Sequence, residues 1–474
     1  AALTTVNLTG CAQLVQLPDS IGRLPMLTTM DLRDCKSLTG LPPTIANLKK
    51  LTTLRLIRCE SITGLPGGIN DLEQLQVLDL EGCRRLQEVP EISNLIHLTT
   101  LDCKDCDQLT ALNKLPAEMG GLSALRLLDL EGCASLQALP DISNLVELET
   151  FDCKNCERLE TWRGNCGSLT KLAALRFEGC RMLGSLPADT GKLTALRILD
   201  LEGCGRLISL PESLGDLTKL KILHLKGCTR LTGLPDSIGK LGKLEKLVLM
   251  GCPSLKRLPD TIYGLTALTT LDCEGCAHLT ALPDTISGKE FMAPQSEPAV
   301  MCSDVNLRFL FCMRHHLLYT LPNLATVVSF RVAAVKVVGG LMRLATLDLS
   351  GCTHLETLSD KIGRLADLTH LRLNDCVSLK SLPDTMCDLR ELRILDLTGC
   401  FSLGSLPNNI GNLKSLRILR LAGCVSLTAL PDSICDLDAL EQLDLEACIH
   451  LQTLPDKRNL AAQDLRRCEG LSRL

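Results

Sequence analysis

The chain is poor in aromatic residues, with one Trp, two Tyr and seven Phe among 474 residues. So few rings leave little for stacking the bases of single-stranded nucleic acid. The chain also has no excess of basic charge, because 50 Lys and Arg stand against 55 Asp and Glu. A phosphate backbone is bound through clustered cations. We therefore expect no nucleic-acid partner.

The sequence contains no familiar catalytic or nucleotide-binding motif. No G-x-x-x-x-G-K-[ST] phosphate loop, G-x-S-x-G elbow, H-E-x-x-H zinc motif or glycine-rich dinucleotide fingerprint occurs. The apolar stretch 317–341 is broken by Pro322, Arg331 and Lys336, which makes it a poor membrane span. We expect no enzymatic activity, no cofactor, no metal ion and no membrane partner.

Cysteine is abundant by contrast, and most of the 26 cysteines recur at a period of 24 residues. The segments Leu196–Cys204, Leu220–Cys228 and Leu392–Cys400 read LRILDLEGC, LKILHLKGC and LRILDLTGC. Eighteen positions follow this pattern: Cys11, Cys35, Cys59, Cys83, Cys106, Cys133, Cys156, Cys180, Cys204, Cys228, Cys252, Cys276, Cys352, Cys376, Cys400, Cys424, Cys448 and Cys468. A fixed period of about 20–29 residues with LxxLxL, then Asn or Cys, is the pattern of a leucine-rich repeat.

Each repeat divides into a strand and a turn. The LxLxx part alternates apolar and polar residues like a half-buried strand, and equivalent strands must pair in parallel. The second half, as at Leu234–Leu244, predicts a helical turn or a 3₁₀ segment. Because one repeat cannot bury its own Leu face, neighbouring repeats must stack. We therefore predict an α/β leucine-rich repeat solenoid, a curved horseshoe with a concave parallel sheet and short helical or 3₁₀ segments on its convex side.

The repeat is interrupted once. We divide the chain into repeats 1–12 over residues 1–286, an irregular insert or degenerate repeats over 287–339, and repeats 13–18 over 340–474. The chain begins at Ala1 in mid-pattern and ends at Leu474 without a polar cap, so we expect a fragment of a longer product.

The insert contains Cys302, Cys312, His315 and His316, but their spacing matches no standard zinc pattern. Three interpretations remain open: a folded island that carries a ligand, a loop or pair of degenerate repeats, and translated non-coding sequence. The abrupt change in composition favours the last two over a folded island.

The repeated cysteines are expected to be structural. Thiols on neighbouring parallel strands have parallel Cβ vectors, so bridging them would distort the ladder, and we expect reduced cysteines in a reducing compartment. Five further cysteines are expected to be inert in the core or on the convex side: Cys103, Cys153, Cys273, Cys387 and Cys435. Cys166 lies in an atypical repeat and has no assigned role.

The concave face is the expected binding surface, because solenoids of this kind bind through it. An inner column, the x of LxL, contains eleven Asp in eighteen repeats: Asn7, Asp31, Arg55, Asp79, Asp102, Asp129, Asp152, Arg176, Asp200, His224, Val248, Asp272, Asp348, Arg372, Asp396, Arg420, Asp444 and Asp464. An outer column two residues later adds Glu81, Glu131, Glu178, Glu202, Glu274 and Glu446 against Arg33, Lys104, Lys154, Lys226 and Arg466. Either this acidic stripe attracts a basic protein surface, or Asp is only a soluble choice whose charge is solvated.

The combination LxxLxLxGCxxLxxLPxxIGxL, at Leu196–Leu217 and Leu392–Leu413, resembles the leucine-rich repeats of plant intracellular nucleotide-binding immune (disease resistance) receptors. It also resembles plant intracellular Ras-group leucine-rich repeat proteins. The resemblance implies a cytoplasmic protein that binds protein in plant defence and signal transduction. The alternatives are a signalling scaffold without a nucleotide-binding module, or the recognition arm of an enzyme whose catalytic domain lies outside this chain.

Overall fold

A computed structural model describes the chain over residues 2–110, 122–139, 141–162, 164–292 and 335–455. The chain divides into two units. The first contains Ala1–Gly288 and Gly339–Leu474, and the second is Lys289–Val338. In the second unit the structure describes two strands, β15 (Lys289–Met292) and β16 (Val335–Val338), which pair antiparallel.

Seventeen three-residue strands of the first unit form one parallel sheet, in which each repeat contributes a strand beside that of the preceding repeat. The strands are β1 (Thr5–Asn7), β2 (Thr29–Asp31), β3 (Thr53–Arg55), β4 (Val77–Asp79), β5 (Thr100–Asp102), β6 (Leu127–Asp129), β8 (Thr150–Asp152), β10 (Ala174–Arg176), β11 (Ile198–Asp200), β12 (Ile222–His224), β13 (Lys246–Val248), β14 (Thr270–Asp272), β17 (Thr346–Asp348), β18 (His370–Arg372), β19 (Ile394–Asp396), β20 (Ile418–Arg420) and β21 (Gln442–Asp444). Two shorter strands, β7 (Ala138–Leu139) and β9 (Thr161–Trp162), form a separate parallel pair.

The second half of most described repeats forms a 3₁₀ turn, as the sequence predicts. These turns are Asp19–Arg23, Pro43–Asn47, Gly67–Asp71, Thr190–Lys192, Glu212–Asp216, Asp236–Lys240, Asp260–Gly264, Asp284–Ser287, Ile362–Arg364, Asp384–Asp388, Ile410–Asn412 and Asp432–Asp436. Most begin directly after a proline, which presets an extended backbone and then allows the turn to start. No helix in the part of the chain that the structure describes is long and apolar enough to cross a membrane.

The core lies between the sheet and the 3₁₀ turns and is built mainly from leucine. A typical repeat buries eight side chains, each at most 6% exposed: Leu196, Leu199, Leu201, Cys204, Leu207, Leu210, Leu214 and Leu217. Each buried leucine contributes about 1.5–3 kcal/mol, but only when neighbouring repeats cover its two sides. The core is therefore a continuous stack, as expected for a solenoid.

A sharp turn joins each strand to the rest of its repeat. The residue before the ladder cysteine has a positive φ, as in Gly203 (φ 75°), and the Gly203 N–H donates to the Lys226 carbonyl of the next repeat at 2.7 Å. Glycine adopts this left-handed conformation without steric cost. Six non-glycine residues also adopt this conformation: Asp34, Arg58, Asp105, Asn155, Asp375 and Ala447. The Gly-Cys pair of the consensus thus follows from backbone geometry.

The ladder cysteines hold consecutive repeats together through their thiols. Sixteen of them donate from Sγ to a backbone carbonyl of the preceding repeat at 3.0–3.4 Å: Cys35, Cys59, Cys83, Cys106, Cys133, Cys156, Cys180, Cys204, Cys228, Cys252, Cys276, Cys352, Cys376, Cys400, Cys424 and Cys448. The Leu201 carbonyl, for example, accepts the Cys204 N–H at 3.1 Å and the Cys228 thiol at 3.2 Å. Burial raises the pKa of Cys228 to about 12, so its thiol keeps the proton that it donates.

The sheet continues in register across the insertion. Strand β14 pairs directly with β17, with Thr270 opposite Thr346 and Asp272 opposite Asp348. The Cys352 thiol donates to the Cys273 carbonyl at 3.3 Å, just as in uninterrupted repeats. The insertion leaves the first unit at Gly288, directly after a 3₁₀ turn, so the stacking of repeats is preserved.

The remaining cysteines of the described residues also have structural positions. Cys103, Cys153 and Cys273 are fully buried, which confirms their expected place in the core, and Cys387 is 1% exposed. Cys166 is buried as well, with Sγ 3.4 Å from Asp189 Oδ1 and 4.0 Å from Thr190 Oγ1. It belongs to the first unit's core. The same core contains an aromatic cluster, Phe151, Trp162 and Phe177, whose ring centroids lie 5.7–6.1 Å apart. Cys302, Cys312, His315 and His316 lie outside the described residues.

Replacing a ladder cysteine tests the thiol hydrogen bond. We expect Cys228→Ala to lower the free energy of unfolding by about 1–3 kcal/mol, because it removes a buried side chain and leaves the Leu201 carbonyl with one partner fewer. Urea denaturation measures the change. Cys435→Ala is the matched control: Cys435 is partly exposed, and Ala46 occupies the equivalent position in another 3₁₀ turn. Equal losses in the two variants would contradict the role of the ladder thiol.

Candidate functional site

The candidate site is the exposed face of the parallel sheet. The strand register places the inner-column side chains of consecutive repeats next to each other, so that Asp79 lies opposite Asp102, Asp102 opposite Asp129, and Asp129 opposite Asp152. Asp464 and Arg466 lie outside the described residues. All other residues of the two columns belong to described strands or directly follow them. The two columns thus form one surface, as the periodicity indicates.

The inner-column aspartates have a backbone role that sequence reasoning missed. In ten of them Oδ1 accepts the backbone N–H two residues later, at 2.9–3.3 Å: Asp31, Asp79, Asp102, Asp129, Asp152, Asp200, Asp272, Asp348, Asp396 and Asp444. Asn7 makes the same contact with the Thr9 N–H at 2.9 Å. This Asx-type bond satisfies a donor at the point where each strand ends. The signal available in the sequence was Asn7, which occupies the same column and carries the side-chain oxygen that accepts this hydrogen bond.

The bases of the inner column each lie next to an aspartate of the preceding strand. The nitrogen–carboxylate distances range from 3.0 to 4.0 Å in the pairs Arg55–Asp31, Arg176–Asp152, His224–Asp200, Arg372–Asp348 and Arg420–Asp396. The outer column contains similar pairs between adjacent repeats: Lys104–Glu131, Lys154–Glu178 and Lys226–Glu202 at 2.8–3.0 Å. The acidic stripe is therefore neutralised over much of its length.

Acidic residues of the inner column are concentrated on four consecutive strands, β4, β5, β6 and β8, and in the described part of the chain only the last of them, Asp152, pairs with an inner-column base, Arg176. We call their inner-column residues Asp79, Asp102, Asp129 and Asp152 the anionic row. Arg55 precedes the row and Arg176 follows it, and no base of the inner column stands between them. Burial raises the pKa of all four carboxyl groups. For Asp129, burial together with the neighbouring Asp102 and Asp152 carboxylates raises the pKa to about 6.

Three acids at one end of the anionic row lie close together. Asp79, Glu81 and Asp102 each place a carboxylate oxygen within 4.8 Å of the other two, and they are the one such group among the residues that the structure describes. All three are partly exposed, and two already accept backbone N–H groups. Acidic clusters of this kind are common without an ion, so we assign no metal site.

The raised pKa of Asp129 predicts how stability depends on pH. Between the unfolded-state pKa near 3.8 and the folded-state value of about 6, the folded protein holds a proton that the unfolded chain has lost, so stability falls as pH rises through this window. We expect Asp129→Asn to keep the backbone contact, as Asn7 does, and to raise the free energy of unfolding by about 1 kcal/mol above pH 7. The gain should shrink below pH 5, as measured by urea denaturation at several pH values.

Asp396→Asn is the control for this prediction. The Asp396 carboxylate lies 3.0 Å from Arg420 Nη1, so its neutralisation removes an ion pair and should lower stability at neutral pH. The two variants carry the same chemical change in the same column. A loss of stability in both would contradict the repulsion that we assign to the anionic row.

Two family models match parts of the chain. Residues 152–272 match the model described as a leucine-rich repeat region, and residues 391–413 match the model described as a leucine rich repeat. No curated protein sequence matches the chain. The matched residues include Asp152, one of the anionic row, and the strands from β9 to β14.

Two solved structures are similar to this chain. A leucine-rich repeat protein of Leptospira interrogans shares 25% identity over 92% of this chain and 90% of its own, with a TM-score of 0.54. The Arabidopsis receptor kinase HAESA, solved with the peptide hormone IDA and the co-receptor SERK1, shares 19% identity over 96% of this chain and 75% of its own, with a TM-score of 0.36. Together with the parallel sheet and the 3₁₀ turns, the first match leads to one conclusion. The chain carries a leucine-rich repeat region and folds as a leucine-rich repeat solenoid.

Proposed function

We propose that this protein recognises a protein partner through the exposed sheet face, and that the anionic row contacts basic side chains of that partner. One observation carries the proposal: three half-buried carboxylates, Asp79, Asp102 and Asp129, and the buried Asp152 stand on four consecutive strands with no inner-column base among them. The other charged residues of the two columns surround this centre as further contact positions. A leucine-rich repeat solenoid in general serves protein–protein interaction and not catalysis.

The electrostatics of the row favour a cationic partner. Each carboxylate is partly removed from water, and the charges of Asp102 and Asp129 are further disfavoured by carboxylates on the adjacent strands. A guanidinium or ammonium group placed over the row would relieve this repulsion. Such complementarity increases association rates and selects against partners of the wrong sign. Asp348 and Asp396 already pair with Arg372 and Arg420, so a cationic partner would gain less binding energy there.

A basic probe peptide tests the anionic row. We expect a labelled peptide of alternating Arg and Ser to bind the wild-type protein at low ionic strength, and its association rate to fall steeply as salt is added. The double variant Asp102→Asn with Asp129→Asn should bind about tenfold more weakly, because it removes two central charges and keeps both backbone contacts. Stopped-flow fluorescence gives the rates, and anisotropy gives the affinities.

The control variant makes the same change of net charge at a different place. Asp348→Asn with Asp396→Asn neutralises two aspartates that already pair with Arg372 and Arg420, so its affinity should change less than about threefold. A salt-independent association rate, or equal losses in the two double variants, would refute the role of the row.

We also propose that the protein is the sensor region of a plant-type intracellular immune receptor. The repeat consensus, with LP and IG after the ladder cysteine, supports this proposal through its resemblance to those receptors. A reducing compartment such as the cytoplasm is supported by the sixteen thiols that donate hydrogen bonds, since only reduced sulfur can do so. A role in signalling without a nucleotide-binding module is the second candidate, on the Ras-group resemblance.

The reading frame of the longest transcript tests the receptor proposal. We expect it to encode a phosphate-loop module, G-x-x-x-x-G-K-[ST], upstream of these repeats. Sequencing of full-length cDNA provides the answer. A complete frame with capping repeats and no nucleotide-binding module would overturn the receptor proposal in favour of a scaffold, and a catalytic domain in the same frame would favour an enzyme's recognition arm.

A further inference from the structure

Three consecutive repeats carry a basic surface on the loops that follow their ladder cysteines. The loops 205–209, 229–233 and 253–257 contain Arg206, Arg230, Lys256 and Arg257 but no Asp or Glu. We call these four residues the basic flank. Most equivalent loops elsewhere are acidic, mixed or uncharged, as in 107–111 and 157–161. Three others carry a single cation, Lys36, Arg181 or Lys380, and each of these cations pairs with a glutamate of a neighbouring repeat. The basic flank is therefore a local departure from the repeat and not a property of its consensus.

Contacts between the loops show that they are stacked. The Thr229 hydroxyl donates to the Gly205 carbonyl at 3.3 Å, and the Ser254 hydroxyl donates to the Thr229 carbonyl at 2.7 Å. His278 Nδ1 lies 2.6 Å from the Pro253 carbonyl. Successive loops thus follow the strand spacing of about 4.8 Å. The four cations consequently form one row along the solenoid.

The cations of the basic flank are exposed and have no acidic partner. Other surface cations pair with an acid of the neighbouring repeat, as in Lys221–Glu245 at 2.7 Å, Lys226–Glu202 at 2.8 Å and Lys380–Glu356 at 2.8 Å. No carboxylate in the described part of the chain lies within 4.0 Å of the charged groups of Arg206, Arg230, Lys256 or Arg257. Asp236 and Asp260 line a groove together with Arg257, at one end of the row.

We propose that the basic flank binds an acidic, extended segment of a protein partner. Unpaired guanidinium groups on adjacent repeats match carboxylates in a bidentate geometry, and Arg206 and Arg230 provide two of them. The hydroxyls of Thr229 and Ser254 already bond to backbone carbonyls, so the charged groups alone remain for the partner. This surface has the opposite charge to the anionic row and uses different residues. It therefore does not depend on the proposed function of the sheet face.

A protein segment fits the basic flank better than nucleic acid does. The three loops contain no aromatic residue on which a base could stack. The chain has a net charge of -5, which repels a long polyanion once it extends beyond the flank. A short acidic segment contacts only the local row of cations and avoids this repulsion.

A labelled peptide of alternating Glu and Ser serves as the probe, with fluorescence anisotropy at low ionic strength as the measurement. The test variant is Arg206→Ser with Arg230→Ser, because Ser254 and Ser378 occupy the equivalent position in other repeats. The matched control is Lys36→Thr with Lys380→Thr, which removes two cations from equivalent loops where each pairs with a glutamate, Glu60 or Glu356. Both variants lower the net charge by the same amount, and thermal unfolding checks that both remain folded.

We expect the flank variant to lose about tenfold in affinity for the acidic peptide and the control to lose less than about twofold. Binding of the Arg-Ser peptide to the anionic row should be unchanged in the flank variant, so a failure of one surface is distinguishable from a failure of the other. The proposal is overturned if the wild-type protein does not bind the acidic peptide, or if both variants lose affinity equally. It is also overturned if single-stranded oligothymidylate of equal charge binds at least as tightly as the peptide.

Discussion

The structure depends on a hydrogen bond that crosses from each repeat to the one before it. The carbonyl that ends a strand, such as that of Leu201, accepts both the N–H of its own turn and the thiol of the next ladder cysteine. Both of its acceptor sites are thereby used in a dry core, where an unsatisfied carbonyl would cost about 1–3 kcal/mol. The same cysteine also fills apolar volume between the leucines. One small side chain thus fills core volume and also donates a hydrogen bond to a buried carbonyl.

This constraint determines the positions that remain free for function. A short strand, a left-handed residue and a buried thiol fix the interior of each repeat and leave the inner and outer columns of the sheet and the loop after each cysteine among the positions that reach the surface. Even the inner column is partly constrained, because Asp there satisfies the N–H two residues later. Its charge is then either paired by a base on the next strand or left unpaired. The distinction between paired and unpaired charges, more than the number of charges, gives this solenoid its two electrostatic surfaces.

The stack of repeats accommodates a long insertion without losing its strand pairing. Strands β14 and β17 pair in register although the second unit lies between them in sequence. The thiol of Cys352 reaches the Cys273 carbonyl as if the two repeats were adjacent in the chain. Because every stabilising contact of a repeat is made with its neighbours in the stack, a segment that leaves from the end of a 3₁₀ turn interrupts none of them.

The sequence alone determined the repeat, the parallel sheet, the 3₁₀ turns and the buried place of Cys103, Cys153 and Cys273, because a period of 24 residues with fixed leucines permits one way of covering its apolar face. It also placed the charged columns on one surface. It could not show that Asp129 accepts a backbone N–H, that Arg420 neutralises Asp396, or that Cys166 packs beside Asp189. Those facts depend on distances of about 3 Å between residues that are set by backbone geometry and by the neighbouring repeat. Only the tertiary structure decided which charges are compensated and which remain available to a partner.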